Sequence, residues 1–411
     1  MQTEISLPSE QISIPASSGW TKLPWIAGAV GLAALAAALA GGLDHETRTR
    51  FLFAYVFAYV YCLSVALGGL FFVLLHFLAR AGWSTVVRRL AEHVASTMPL
   101  FVVLFVPIAV WHGDLFLWAV PGIADRDDLI AGKSGFLSSG FFLVRSALYL
   151  AIWTGLAWWF ARQSQRQDES GDAAITRRLQ TRSALGMVLF GVSLNFAAFD
   201  WLMALDPHWF STIFGVYFFA GCVLAILSTL ILLSLQLQAS GYLRNVVTWE
   251  HYHDMGKLLF AFVVFWAYIA FSQFMLIWYA NLPEETGWFH HRWGDGPAGW
   301  QGVSIFLAAG HFGAPFLFLL FADVKRRRWS LTLAAVWILL VHAVDVYWLV
   351  MPSLPLMIEG HHGLHPHWLD LACLLGIGGL FLAVLGWRLR GGALVPVRDP
   401  RLAESLAFEN A

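Results

Sequence analysis

The sequence predicts an all-α polytopic membrane protein with ten transmembrane helices. Of its 411 residues, 59% are hydrophobic and only 12% charged, whereas a soluble domain is nearer a quarter charged. Apolar runs of about 20 residues, long enough for a ~30 Å hydrocarbon core, recur along nearly the whole chain. Turn and cap residues separate them: Asp44, Asp206-Pro207, Pro283 and Pro352 each follow such a run. The formal net charge of −1, with no basic block standing apart from a membrane edge, gives no reason to expect a nucleic-acid partner.

Taken in order, residues 1–22 form an N-terminal segment carrying Glu4, Glu10 and Lys22. They lack the basic start of a signal peptide, so the first span, 23–43, is expected to be retained. Residues 51–205 hold spans at about 51–79, 93–112, 136–161 and 183–205. Residues 209–351 hold the next four, at about 209–238, 257–282, 298–322 and 329–351. The tenth span covers 367–389, and 390–411 form a tail. Cys62, Cys222 and Cys373 all lie inside apolar runs, without the CxxC or CxxCH spacing of iron–sulfur or covalent haem sites, and read as packing residues.

Lysine and arginine assign the two sides. Lys22, Arg80, Arg88, Arg89, Arg162, Arg166, Arg177, Arg178, Arg182, Arg244, Lys257, the run Lys325 to Arg328, Arg388, Arg390, Arg398 and Arg401 fall on the N-terminus, the even loops and the tail. The odd loops hold Arg48, Arg50, Arg126, Lys133 and Arg292, and Arg145 lies inside a span. Both termini are therefore expected in the cytoplasm. The opposite face is rich in histidine, acid and tryptophan, in "FHHRWGDGPAGW" (289–300) and "EGHHGLHPHW" (359–368). His361, His362, His365 and His367 could bind a metal by composition, but no fixed helical spacing supports a defined site, and a polar, aromatic docking surface is the plainer reading.

A short pseudo-repeat joins the two halves. "FDWLMALDP" (199–207) and "VDVYWLVMP" (344–352) align without a gap, with Asp200 and Asp345 each seven residues before a proline. They end the fifth and ninth spans in the same orientation. Two parallel four-helix units, spans 2–5 and 6–9, with spans 1 and 10 peripheral, would produce this match.

An ionisable side chain at the centre of a span costs roughly 2.5–3.5 kcal/mol, so each one needs a partner or a wet cavity. The set is His76, Arg145, Asp200, His311, His342 and Asp345, with Asn195 and Gln273 as neutral company. His342 and Asp345 are three residues apart, close enough to hydrogen-bond or share a water. Asp345 lies roughly 10 Å from the end of its span, and Asp200 sits at the matching depth. Arg145 is placed to neutralise Asp200, and His253 and Asp254 in "HYHD" (251–254) stand at the start of the seventh span. The set offers protonatable positions at several depths, as a proton path needs. The competing reading makes Arg145–Asp200 a bundle ion pair, His342–Asp345 a buried polar contact and "HYHD" a capped helix start. A haem held by His311 and His342 is a third possibility.

"SLNFAAFDWLMALDPHWFSTIFGVYFFAG" (193–221) and "HYHDMGKLLFAFVVFWAYIAFSQFMLIWYANLPEET" (251–286) resemble signature stretches of the ActF-like membrane subunit of alternative complex III, in the NrfD/PsrC superfamily. The resemblance covers spans 2–10. It implies ten helices in two four-helix bundles. It also implies a place in a bacterial inner-membrane electron-transport complex that oxidises quinol and reduces a cytochrome c or a terminal oxidase. The iron–sulfur protein, the multihaem cytochrome c subunits and a paralogous NrfD-like membrane subunit would be its partners, and this chain would hold no redox cofactor. Its implied part is structural and proton-conducting, with Asp200, His342, Asp345, His311, Arg145, His76, Asn195, His253 and Asp254 as the candidate path. Quinol bound in this subunit near His311 is the alternative, and a stand-alone secondary transporter using the same polar residues is a reading from another class.

Overall fold

A computed structural model describes residues 8–293, 300–358 and 363–409. The described residues form helices joined by turns, without a strand among them. Ten helices are long and apolar enough to cross a membrane: Gly19–Gly41, Thr47–Leu78, Thr85–Val110, Ser139–Ser170, Ala173–Leu205, Phe214–Ala239, Trp249–Ala280, Trp300–Leu319, Arg328–Leu356 and Trp368–Arg390. Each expected span has one counterpart, and the spans are numbered in that order.

The third span begins at Thr85, not at 93. Its first segment, Thr85–Ala95, buries every residue, including Arg88, Arg89 and Glu92. A hydropathy window rejects that stretch because it scores charges one at a time, whereas here they are neutralised by distant acids. The same span is then divided where Pro99 and Pro107 open the segments Met98–Leu104 and Val106–Val110. A proline brings no N–H, so it suits the first turn of a new segment.

The fourth and fifth spans form a hairpin closed by two residues. Gly171 takes the left-handed conformation (φ +68°), and the Asp172 side chain accepts the Ala174 N–H. At 32 residues the helix Ser139–Ser170 is ~48 Å long, well beyond a hydrocarbon core of ~30 Å. Its excess length carries Arg162 and Arg166 clear of the apolar zone. The eighth span is irregular in another way: Ala308–Gly313 is a π-helical turn between Trp300–Leu307 and Ala314–Leu319.

The second and sixth spans lie at the centre, with 89% and 83% of their most apolar windows buried, against 11% for the first. They touch at Gly68, where a Cβ would come within 2.2 Å of the Cys222 carbonyl oxygen. The second span also packs on the third, fifth, ninth and tenth, and the sixth on the fifth, seventh and ninth. The fourth lies on the fifth, and the eighth on the seventh and ninth. The first and tenth form a pair of their own through Gly31, Gly376 and Gly379; a Cβ on Gly379 would meet the Gly31 Cα at 2.7 Å. Small residues let helix backbones approach where lipid supplies no hydrophobic drive.

One end of the molecule is tied by chain segments far apart in sequence. Leu243 donates its N–H to the Gln11 carbonyl (2.8 Å), Leu394 donates to Ile12 (2.6 Å), and Arg88 donates to Asp399 (2.7 Å). The N-terminal segment, the sixth-to-seventh connection and the C-terminal tail thus meet there.

Candidate functional site: buried polar groups between the spans

Asp345 is buried in the ninth span; two other helices donate hydrogen bonds to its carboxylate and a third faces it. The Tyr217 hydroxyl of the sixth span donates to Oδ1, and Trp266 of the seventh donates its indole N–H to Oδ2 at 3.2 Å. His311 of the eighth span places Nδ1 3.8 Å from Oδ2. No Lys or Arg among the described residues pairs with this carboxylate.

His342 does not turn to Asp345 as the three-residue spacing suggested. Its Nε2 lies 2.9 Å from the Ser64 hydroxyl of the second span, and its ring lies beside Tyr61. Positions three apart differ by about 60° around a helix axis. That offset is enough to send the imidazole toward the second span and the carboxylate toward the sixth, seventh and eighth. Gly221 makes room for the ring, since a Cβ there would come within 2.6 Å of His342 Cε1.

His311 lies between the two. It is fully buried, 4.1 Å from the Trp266 ring and 6.3 Å from the His342 ring, centre to centre. Neither of its ring nitrogens has a hydrogen-bond partner among the described residues, and His342 Nδ1 has none either. The π-helical turn sets the position: one extra residue in the turn rotates the rest of the span by about 100° relative to a regular helix. A haem between His311 and His342 does not fit, because it would have to displace Trp266 from one ring and Gly221 and Tyr61 from the other.

Asp200 has a different environment. Arg145 meets it with two hydrogen bonds, Nε to Oδ2 at 2.8 Å and Nη2 to Oδ1 at 2.7 Å, and the Tyr149 hydroxyl donates to Oδ2 at 2.8 Å. The guanidinium also donates to the Phe136 carbonyl and stacks on Phe136 and Phe141. The two aspartates thus share a sequence motif but not a chemistry: one is paired with a cation, the other faces Tyr, Trp and His. Asn195 lies a turn deeper, against Gly215 of the sixth span.

At the tied end, His76 joins a buried charge cluster. Its Nε2 is 3.1 Å from Arg88 Nη1 and its Nδ1 is 2.7 Å from the Ser84 hydroxyl. Arginine only donates, so Nε2 accepts and Nδ1 carries the proton. Arg88 also binds Glu92 and Asp399, while Arg89 binds Glu92 and Asp168. In "HYHD", His251 accepts the Thr248 N–H (3.0 Å), capping its helix, and reaches the Ser405 carbonyl (3.0 Å). Asp254 pairs with Lys257, and His253 leaves Nδ1 without a hydrogen bond among the described residues.

A groove of about 600 Å³ opens beside Asp345, between the seventh and eighth spans. Its walls are mostly apolar, but Tyr217, Trp266, Gln273, Arg292 and Ser304 line it too. His311 lies behind Trp266 and Phe312 and does not reach it. Arg292 is buried at the groove, over the Trp288 ring at 3.5 Å, and donates to the carbonyls of Trp288, Trp348 and Leu349. Burial pulls its guanidinium down to about 9, which leaves it charged at neutral pH.

Tyr217, Trp266 and Ser64 escape a reading that looks for charges, because an apolar span tolerates Tyr, Trp and Ser as ordinary residues. A tyrosine near a span end opposite a known buried acid was the available signal. His361 and His362 lie outside the described residues. Among those described, no three His, Cys, Asp or Glu gather as metal ligands. His365 passes its carbonyl to Arg50, and His367 caps the tenth span. No protein-family model matches the chain, and no curated protein matches it.

Proposed function

We propose that this chain is a proton-conducting membrane subunit, without a redox cofactor of its own, of a quinol-oxidising electron-transport complex in a bacterial inner membrane. Both termini lie in the cytoplasm in this reading, as the distribution of Lys and Arg favours. Iron–sulfur and haem c centres belong to its partners, beside a paralogous membrane subunit. The resemblance at 193–221 and 251–286 supports the assignment to such a complex.

One observation carries the proton-conducting part: the buried series Tyr217, Asp345, His311, His342 and Ser64, which links four helices and contains three groups able to exchange protons. Toward the tied end, the sixth span continues with Ser228 and Ser234, whose buried hydroxyls have no hydrogen-bond partner among the described residues. Such hydroxyls are where internal water binds. The Arg145–Asp200 pair acts in this scheme as a fixed ion pair that holds the fourth and fifth spans together.

Two measurements test this. Isolation of the full chain from native membranes should bring iron–sulfur and multihaem cytochrome subunits with it; a chain that isolates alone and takes up a solute would favour a transporter. In the intact complex, Asp345→Asn should lower the protons moved per electron while quinol oxidation continues. The groove supports a second reading, in which quinol binds against Tyr217 and Trp266. In that case Asp345→Asn would slow quinol oxidation itself.

A further inference from the structure

A second cavity, of about 620 Å³, opens on the molecule's flank between the third, fourth and tenth spans. It lies toward the tied end. Three arginines line it: Arg162 from the fourth span, and Arg388 and Arg390 from the last turn of the tenth. No carboxylate is among the described residues that line it, although the neighbouring charge cluster pairs Arg88 and Arg89 with three acids.

Three polar atoms at this cavity are left without partners. His93 Nε2, Thr154 Oγ1 and Arg388 Nε are all buried and make no hydrogen bond among the described residues. The three residues come from the three different spans and line the same space. His93 is 4% exposed, so its ring points into a built site and not into solvent. Trp158 and Trp387 stand at the rim, exposed, each carrying an arginine over its ring (Arg162 and Arg388, 5.2 Å). Tryptophan favours the headgroup level of a bilayer.

We propose that this cavity is a binding site for the headgroup of an anionic phospholipid. The phosphodiester takes the Arg162, Arg388 and Arg390 side chains, the free Arg388 Nε among them, together with the Thr154 hydroxyl. Its acyl chains follow the exposed apolar surface of Val102 and Val103 on the third span. Basic pockets between spans are a recurrent means of holding such lipids. Charge selects the occupant, because a zwitterionic lipid would bring an ammonium group into a site with three guanidinium groups.

The test uses the full chain in nanodiscs, with brominated phosphatidylglycerol or brominated phosphatidylcholine as quencher of tryptophan fluorescence. Phosphatidylglycerol should quench preferentially. The preference should fall roughly fivefold for each arginine removed. Arg162→Gln serves as the mild variant, since Arg162 is exposed and its removal threatens folding least; the triple variant with Arg388→Gln and Arg390→Gln should abolish the preference. Inorganic phosphate at millimolar concentration should not restore unquenched emission. Equal quenching by the two lipids in the unmodified chain, a preference that survives Arg162→Gln undiminished, or displacement by free phosphate would overturn the proposal.

Discussion

Arg145 grips Asp200 with two hydrogen bonds of 2.7 and 2.8 Å, the geometry in which a guanidinium matches a carboxylate edge to edge. With Tyr149 as a third donor, both carboxylate oxygens are occupied. The pair joins the fourth and fifth spans in an environment that strips both charges of water.

Breaking that pair should therefore harm stability before it harms function. Arg145→Gln leaves Asp200 buried without its counter-ion and should cost about 3–5 kcal/mol. Replacing both partners by leucine should recover much of the loss. Thermal unfolding of the detergent-purified chain would decide it; a double variant no better than the single one would contradict this account.

The turn Ala308–Gly313 gives a second prediction. Deleting Ala309 should restore a regular helix and rotate His311 away from Asp345 by about 100°. The chain should still assemble, but protons moved per electron should fall to the level of Asp345→Asn. An assembled deletion variant with unchanged stoichiometry would remove His311 from the route.

Gly68 fixes the approach of the two central spans. Gly68→Ala would drive a methyl group to 2.2 Å from a backbone oxygen of the sixth span, which cannot yield as a flexible side chain could. The expected loss is about 1–3 kcal/mol. Gly140→Ala, in open space, is the control and should leave the melting temperature unchanged.

Acid should loosen the loop between the third and fourth spans. Asp127 accepts the N–H groups of Leu129 and Ile130 and pairs with His208. The hydrogen bond from His208, then that from the Ile130 amide, holds its carboxyl below the ordinary 3.8. A depressed acid contributes stability that is complete above its unfolded value and disappears as pH falls through the folded one. Amide exchange at Leu129 and Ile130, corrected for intrinsic rate, should therefore rise below about pH 4. In Asp127→Asn the rise should be absent.

The sequence made the ten spans legible because length and apolarity are local properties. It made the buried acids and histidines legible because each breaks an apolar run. Partner choice was not legible. Asp345 takes its hydroxyl from Tyr217, 128 residues earlier, and His342 takes Ser64, 278 residues earlier; neither pairing leaves a periodic trace. The repeated Asp-to-Pro spacing predicted equivalent sites, yet the fourth span offers an arginine where the eighth offers a histidine. The start of the third span was misplaced for the same reason, since Arg88 looks solvent-bound until its acids are found.

Arg88 finds Asp399 across 311 residues of chain. During synthesis the third span must be inserted long before that acid is made, so its arginine waits with Glu92 as its acid and His76 of the second span beside it. Maturation of this half of the molecule is thus deferred until the last segment arrives and locks against it. A fusion or cleavage that keeps the tail from docking would leave an otherwise fully threaded polypeptide recognisable to quality-control proteases.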